Sequence, residues 1–245
     1  MKFQNRVALI TGAAVGIGRA TALLLAERGA RLVLLDRDLD GLKKVKAEIG
    51  KDDGEVLVYE CDIADEARVY TVITEAIAHF GKIDILVNNA AIWRCWSTFL
   101  ETTTDEWKRY MDVNVLGTVY ATRAVLPSML KEGYGRIINV ASVAGVYGNA
   151  KMVHYSATKG AVISMTRALA KEVADKGVTV NAVSPGSVSP SDQGDIDYVK
   201  PSELSFMGRT GSDRENAELI CFLASDAASY ISAQNIQIDG CRKKQ

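Results

Sequence analysis

Tyr155 and Lys159 stand four residues apart in the run Tyr155-Ser156-Ala157-Thr158-Lys159. On a helix, that spacing puts both on one face within reach of each other. A phenol titrates near 10 and is a poor base at neutral pH, but a nearby ammonium favours the phenolate and lowers that pKa. The pair therefore reads as a general acid/base, although a solvated helix face carries the same spacing without chemistry. Ser142 precedes Tyr155 by thirteen residues, and Asn88-Asn89-Ala90-Ala91, Asn114 and Pro185-Gly186 complete the set that could act with it.

A second constellation lies near the start. Thr11-Gly12-Ala13-Ala14-Val15-Gly16-Ile17-Gly18 follows the apolar run 7–10 and opens a helical pattern. A turn without Cβ atoms lets a pyrophosphate rest on the amides of a helix N-terminus, where the dipole favours anions. The spacing is G-x-x-x-G-x-G, not G-x-G-x-x-G, and a plain tight turn uses the same residues. Asp36, eighteen residues beyond Gly18, ends the second apolar run. An acid there accepts hydrogen bonds from an adenosine ribose diol and repels a 2′-phosphate; helix capping is its other use. Arg37 could attract that phosphate, whereas Val15 occupies a place where a basic residue would face it. The balance favours NAD over NADP.

These residues need a scaffold. Short apolar runs at 7–10, 31–35, 55–59, 83–87, 135–140, 178–183 and 235–238 alternate with helical patterns over 16–28, 39–49, 65–80, 104–131, 155–175 and 213–223. Strands that are apolar throughout are buried on both faces, as in parallel sheets covered by helices. The expected fold is α/β: a single-domain, doubly wound (Rossmann) seven-stranded parallel sheet with helices on both faces. No repeat or linker divides residues 1–245. The irregular stretch 184–210 holds three of four prolines (Pro185, Pro190, Pro201) and reads as a substrate loop, its lid over 187–210. Apart from Asn114, inside the helix over 104–131, the candidate residues fall at or just past strand carboxyl ends, or in the helix that follows.

The 29 basic and 30 acidic residues nearly cancel, which argues against a nucleic-acid binder with its clustered basic excess. With 48% hydrophobic and 24% charged residues, disorder of the bulk chain is excluded. No run approaches a membrane span, and 7–10 is too short for a secretory core; a cytoplasmic protein with no membrane partner is expected. Cys61, Cys95, Cys221 and Cys241 are far apart, so thiols are expected rather than disulfides. With only His79 and His154, no metal site is expected.

Taken together, Thr11–Gly18, Asp36, Asp62-Ile63, Asn88–Ala91, Asn114, Ser142, Tyr155/Lys159 and Pro185-Gly186 make the chain resemble a short-chain dehydrogenase/reductase over residues 7–240. The resemblance implies an NAD-dependent oxidoreductase interconverting a secondary alcohol and a ketone. Tyr155 would exchange the proton, Ser142 would bond the substrate oxygen, Lys159 would tune Tyr155, and Asn114 would hold a relay water. The implied cofactor site comprises Gly12, Val15, Gly16, Ile17, Gly18, Asp36, Arg37, Asp62, Ile63, Asn89, Ala90, Ala91, Tyr155, Lys159, Pro185, Gly186, Val188 and Ser189. Ala91, Ser189 and Cys241 stand where the family usually has Gly, Thr and Gly. Trp93, Ala144 and Tyr147, with Ser142 and Tyr155, are expected near the substrate.

Two tryptophans and a phenylalanine within 92–99 could wall a pocket for a cyclic or steroid-like alcohol, with a polyol or sugar as the alternative. Core packing or a subunit contact would use the same aromatics. Fatty-acyl reduction fits less well, since in the family it goes with NADP and a basic docking face. Family members often pair the two long helices in homotetramers, with the segment 235–240 as the other contact. Val162, Met165 and Leu169 look exposed on the second helix, so a homotetramer is expected and a dimer next. A silent NAD-binding sensor would have lost the Tyr or Lys, and neither is lost.

Overall fold

The computed structural model describes residues 1–52, 54–94, 96–189 and 194–243; Cys95, Pro190 and residues 191–193 of the expected lid lie outside them. Seven strands form one parallel sheet: β1 (Val7–Thr11), β2 (Arg31–Asp36), β3 (Val56–Glu60), β4 (Ile85–Asn88), β5 (Gly135–Val140), β6 (Val178–Pro185) and β7 (Asn235–Ile238). Their order is β3-β2-β1-β4-β5-β6-β7. Connections run outward in opposite directions from β1 and β4, which leaves a crevice beyond their carboxyl ends.

The strand residues alternate between two cores, as the period of a strand demands. Ala8 and Ile10 of β1 face α1 (Gly16–Glu27), α2 (Leu39–Ile49) and α8 (Asp213–Ala224). Val7 and Leu9 face α3 (Glu66–Phe80), α5 (Gly117–Glu132) and α7 (Val153–Val173). A buried polar chain ties α5 to α7 through the sheet. Asn88 Nδ2 donates to Thr122 Oγ1 (3.0 Å) and Asn139 Oδ1 (2.9 Å), and Asn139 Nδ2 donates to Thr166 Oγ1 (2.9 Å).

Local chemistry sets the helix ends. Asp38 caps α2 by accepting from Gly41 N, and Asp65 caps α3 by accepting from Arg68 N. Gly50 and Gly81 close the same helices in the left-handed conformation.

Three expectations need correction. The helix over 104–131 is not continuous: α4 (Thr104–Met111) gives way to a π-helical turn, Asp112–Leu116, before α5. There the Gly117 N–H reaches back five residues to the Asp112 carbonyl, and Asn114 sits inside the widened turn. The irregular stretch starts after Pro185, because Ser184 and Pro185 pair with β7. Val162 is buried against Ala141, Ile163 and Ala182, and Leu169 packs on the α3/α5/α7 core; only Met165 of the three stands clear of these cores.

Candidate active site

The crevice at the β1/β4 switch point opens into a cleft of about 1570 Å³. Gly12 (φ +66°) and Gly16 (φ +60°) turn its floor in the left-handed region. A Cβ on Gly12 would lie 2.8 Å from Ala90 Cα, and one on Gly18 would lie 2.1 Å from the Gly12 carbonyl oxygen. Gly18 is therefore a packing contact between α1 and the turn, not part of the cleft wall as expected. Thr11 Oγ1 accepts from the Asn89 and Ala90 N–H groups (3.0 Å each), and Asn89 Nδ2 donates to the Thr11 and Gly12 carbonyls. This clamp joins the glycine turn to the end of β4.

The cleft fits a dinucleotide. Val15, exposed at the N-cap of α1, gives no side-chain bond to the helix, so the leading amides are open to an anion. Asp36 is not the cap of α2, which is Asp38; its Oδ2 accepts from Ala14 N (3.0 Å) and its Oδ1 from Asp38 N (3.1 Å). Those bonds hold the carboxylate against the glycine turn, on the cleft wall with the exposed Arg37. Ile17, Asp62, Ile63, Asn89, Ala90, Ala91, Pro185, Gly186 and Val188 line it as well. Ser189 does too, and its Oγ is buried without a partner among the described residues. A buried hydroxyl left so is a place where a ligand amide would complete the bonding.

Ser142, Tyr155 and Lys159 meet where β5 runs into α6 (Ala144–Tyr147) and α7 begins. Ser142 Oγ accepts from Ala144 N (3.1 Å). The buried Lys159 Nζ donates to the Val140 carbonyl at 2.6 Å and lies 5.8 Å from the Tyr155 ring centroid. Burial lowers Lys159 to about 8. It also raises Tyr155 above its ordinary 10, with a hydrogen bond to Ser142 pulling the other way. The expectation that Lys159 depresses the tyrosine is thus not met in the free protein. Desolvation of the phenolate outweighs the Ser142 bond, while Lys159 gives one of its three N–H donors to the Val140 carbonyl.

Asn114 is buried and stands outside the cleft wall. Its Oδ1 accepts from Ile92 N (2.9 Å), and its Nδ2 donates to the Ile92 carbonyl (3.0 Å) and Thr158 Oγ1 (3.1 Å). Both amide hydrogens are used to fasten the segment after β4 to α7. Ala144 does not reach the cleft either: it is buried, and its visible role is the N–H bonded to Ser142. Trp93 and Tyr147 do line it, both partly exposed.

Several contributors escaped the sequence reading. Asn149, Lys151, Lys200, Ser202, Asp213 and Arg242 line the cleft from the loops and the tail. Only Lys151, four residues before Tyr155, had a local signal. Asn149 lies between Ser142 and Tyr155, and Lys200 and Ser202 fall in the expected lid, whereas Asp213, the first residue of α8, and Arg242 converge by folding alone. Gly145 also went unremarked: a Cβ there would lie 2.5 Å from the Lys159 carbonyl carbon, so α6 and α7 touch backbone to backbone.

Comparison with known proteins decides the family. A family model described as short chain dehydrogenase matches residues 6–197. The chain belongs to the short-chain dehydrogenase/reductase family. Among its relatives is the 3-oxoacyl-[acyl-carrier-protein] reductase FabG of Thermotoga maritima, 38% identical over 243 residues and covering 98% of each chain. The cyclohexanol dehydrogenase of Acinetobacter sp. (strain SE19) is 35% identical, covering 98% of this chain and 95% of its own. A solved structure of NAD+-bound xylitol dehydrogenase superposes with a TM-score of 0.89 at 33% identity, covering 98% of this chain and all of that one. The chain is thus an oxidoreductase of this family with its Rossmann-like sheet. Among the described residues, no helix is long and apolar enough to cross a membrane.

Proposed function

We propose that the protein is an NAD(H)-dependent oxidoreductase that interconverts a secondary alcohol and a ketone. The observation that carries this reading is the convergence of Ser142, Tyr155 and Lys159 on one cleft with the glycine turn and Asp36. When bound, NAD supplies the hydride acceptor; Asp36 and the Gly12–Gly16 turn would hold its adenosine and pyrophosphate, and Ser189 its carboxamide. As the phenolate, Tyr155 would take the proton of the substrate hydroxyl in oxidation, and as the phenol it would donate one in reduction, with Ser142 bonded to the substrate oxygen. Burial disfavours the phenolate of Tyr155, which leaves the phenol ready to donate in reduction. Asn114 acts through its main chain or as the clamp on Ile92, since its amide hydrogens are taken.

Trp93 and Trp96 at the mouth suit a cyclic alcohol or a polyol, and the cyclohexanol and xylitol dehydrogenase likenesses support that class. The 187–210 segment serves as the lid. The same reading includes a homotetramer and a cytoplasmic location. A second reading, reduction of a 3-oxoacyl thioester with NADP, is favoured by the FabG relative.

Steady-state assays of cyclic alcohols, polyols and a 3-oxoacyl thioester with NAD and with NADP distinguish the two. We expect a higher kcat/KM with NAD, and a fall of about 10²–10⁴-fold in kcat for Tyr155→Phe with NAD still bound. A higher kcat/KM with NADP would overturn the Asp36 reading, and equal rates for the two proteins would overturn the mechanism.

A further inference from the structure

Charge of both signs lines the cleft, with Arg19 and Arg37 among the residues on the side of its carboxylates. Its carboxylates, Asp36, Asp62 and Asp213, stand at the end of β2, after β3 and near Gly16. Arg94, Lys151, Lys200 and Arg242 line the cleft from the segments that follow β4, β5, β6 and β7. Among the described residues none of these four is in an ion pair, whereas Arg19 and Arg209 have carboxylate partners. Arg94 lies 5.3 Å from the Trp93 ring centroid. Lys151 exerts only a weak pull on the exposed Glu101, whose carboxyl is lowered mainly by its bonds to Thr98.

Arg242 is the cation best held in place. Its Nη2 donates to Asn149 Oδ1 (3.1 Å), and the Asn149 N–H donates to the hydroxyl of Ser156 (3.1 Å), the residue after Tyr155. The tail reaches this place because Gly240 (φ +63°) and Cys241 (φ +59°) both turn left-handed. It is pinned there by Phe206 N–H to the Cys241 carbonyl (2.9 Å) and Lys243 N–H to the Leu204 carbonyl (3.0 Å). Lys151 (φ +62°) is fixed too, its carbonyl accepting from Ser97 N in the segment that carries Arg94. Asp239 shares a small adjoining cavity with Arg242 but forms no ion pair with it.

Cations gathered in a cleft repel one another and focus a field that draws in an anion. A guanidinium with its plane fixed matches the paired oxygens of a carboxylate or phosphate. We propose that the alcohol or ketone handled at Tyr155 carries an anionic group, a carboxylate or a phosphate, seated on Arg242 with Lys200, Lys151 and Arg94 around it. This rests on reading the cleft as a dehydrogenase site.

The test compares kcat/KM, with the full chain and NAD, for neutral and anionic versions of one skeleton. Cyclohexanol is set against a hydroxycyclohexanecarboxylate, and xylitol against its aldonate and its phosphate ester; the last two arms separate carboxylate from phosphate. We expect at least one anionic compound to exceed its neutral parent tenfold or more. That ratio should fall at least tenfold in Arg242→Gln, fall in Lys200→Gln, and recover in part in Arg242→Lys. A neutral preference, a ratio unmoved by all three variants, or turnover confined to a carrier-protein thioester overturns the proposal while leaving the dehydrogenase reading to its own assay. If no compound is oxidised or reduced, the dehydrogenase reading fails. Tryptophan fluorescence with NADH and the same anions then decides for the site: saturable quenching lost in Arg242→Gln supports it, and no quenching overturns it.

Discussion

Asp213 shows how burial alone can tune a single group. It is the first residue of α8, buried beside Gly16 on the cleft wall, and desolvation raises its carboxyl to about 6 against a weaker pull from Arg19. Between the ordinary 3.8 and about 6, the folded protein holds a proton that the unfolded chain has released. Stability from this group is therefore full below that window and is lost as pH rises through it, by on the order of 2 kcal/mol. Thermal melts from pH 4 to 6 should show wild type losing stability relative to Asp213→Asn; parallel profiles would refute the burial argument. Asp213 was invisible in sequence, as an acid in the first turn of a helix is ordinary capping chemistry. Tyr155, Lys159 and Asp36 were legible because their spacing to neighbours carries a chemical reason.

At the scale of elements, the decisive joints are close backbone approaches. Gly145 lets α6 lie on the start of α7, which sets Ser142 against Tyr155. In Gly145→Ala the new Cβ would meet the Lys159 carbonyl carbon at 2.5 Å and the Gly160 nitrogen at 2.7 Å, both of them backbone. Overpacking of this kind costs about 1–3 kcal/mol. We expect a lower Tm and a tenfold or greater loss of kcat with a smaller change in the Kd for NAD, because the glycine turn lies on other elements. An unchanged kcat would show that α6 does not position Ser142. The π turn at Asp112–Leu116 is the same lesson in a helix: 104–131 reads as one helical period, and nothing in its pattern marks the extra residue. Within the turn, Asn114 bonds Ile92 and Thr158, both outside that helix, and π turns recur where a helix carries such a site.

Over the whole molecule, β1 and β2 divide their side chains between two cores, so neither face of the sheet centre meets water. What remains exposed bears on assembly. Met111, Leu116 and Leu130, from α4 to α5, are each more than a third exposed, and these apolar side chains are the material a helix-paired subunit contact would cover. Sedimentation or light scattering should give four times the 26.5 kDa chain mass; a monomer across micromolar concentrations would remove the homotetramer from the proposed function.

The sequence by itself determined the layers and pointed to an oxidoreductase family. Apolar runs without alternation require strands covered on both sides, and the glycine turn, Asp36, Ser142 and Tyr155/Lys159 carry their reasons in residue type and local spacing. It also set both ends of α2 and α3, through Asp38, Gly50, Asp65 and Gly81. Only the tertiary structure decided that Gly18 and Asn114 serve as packing and clamp, that Val162 is core, and that Tyr155 is raised rather than lowered. Those outcomes depend on desolvation and on contacts between residues distant in the chain, which no local pattern encodes. The gathering of Arg94, Lys151, Lys200 and Arg242 is the clearest case: four charges spread over some 150 positions line one cleft because strand order, not sequence order, sets what is near.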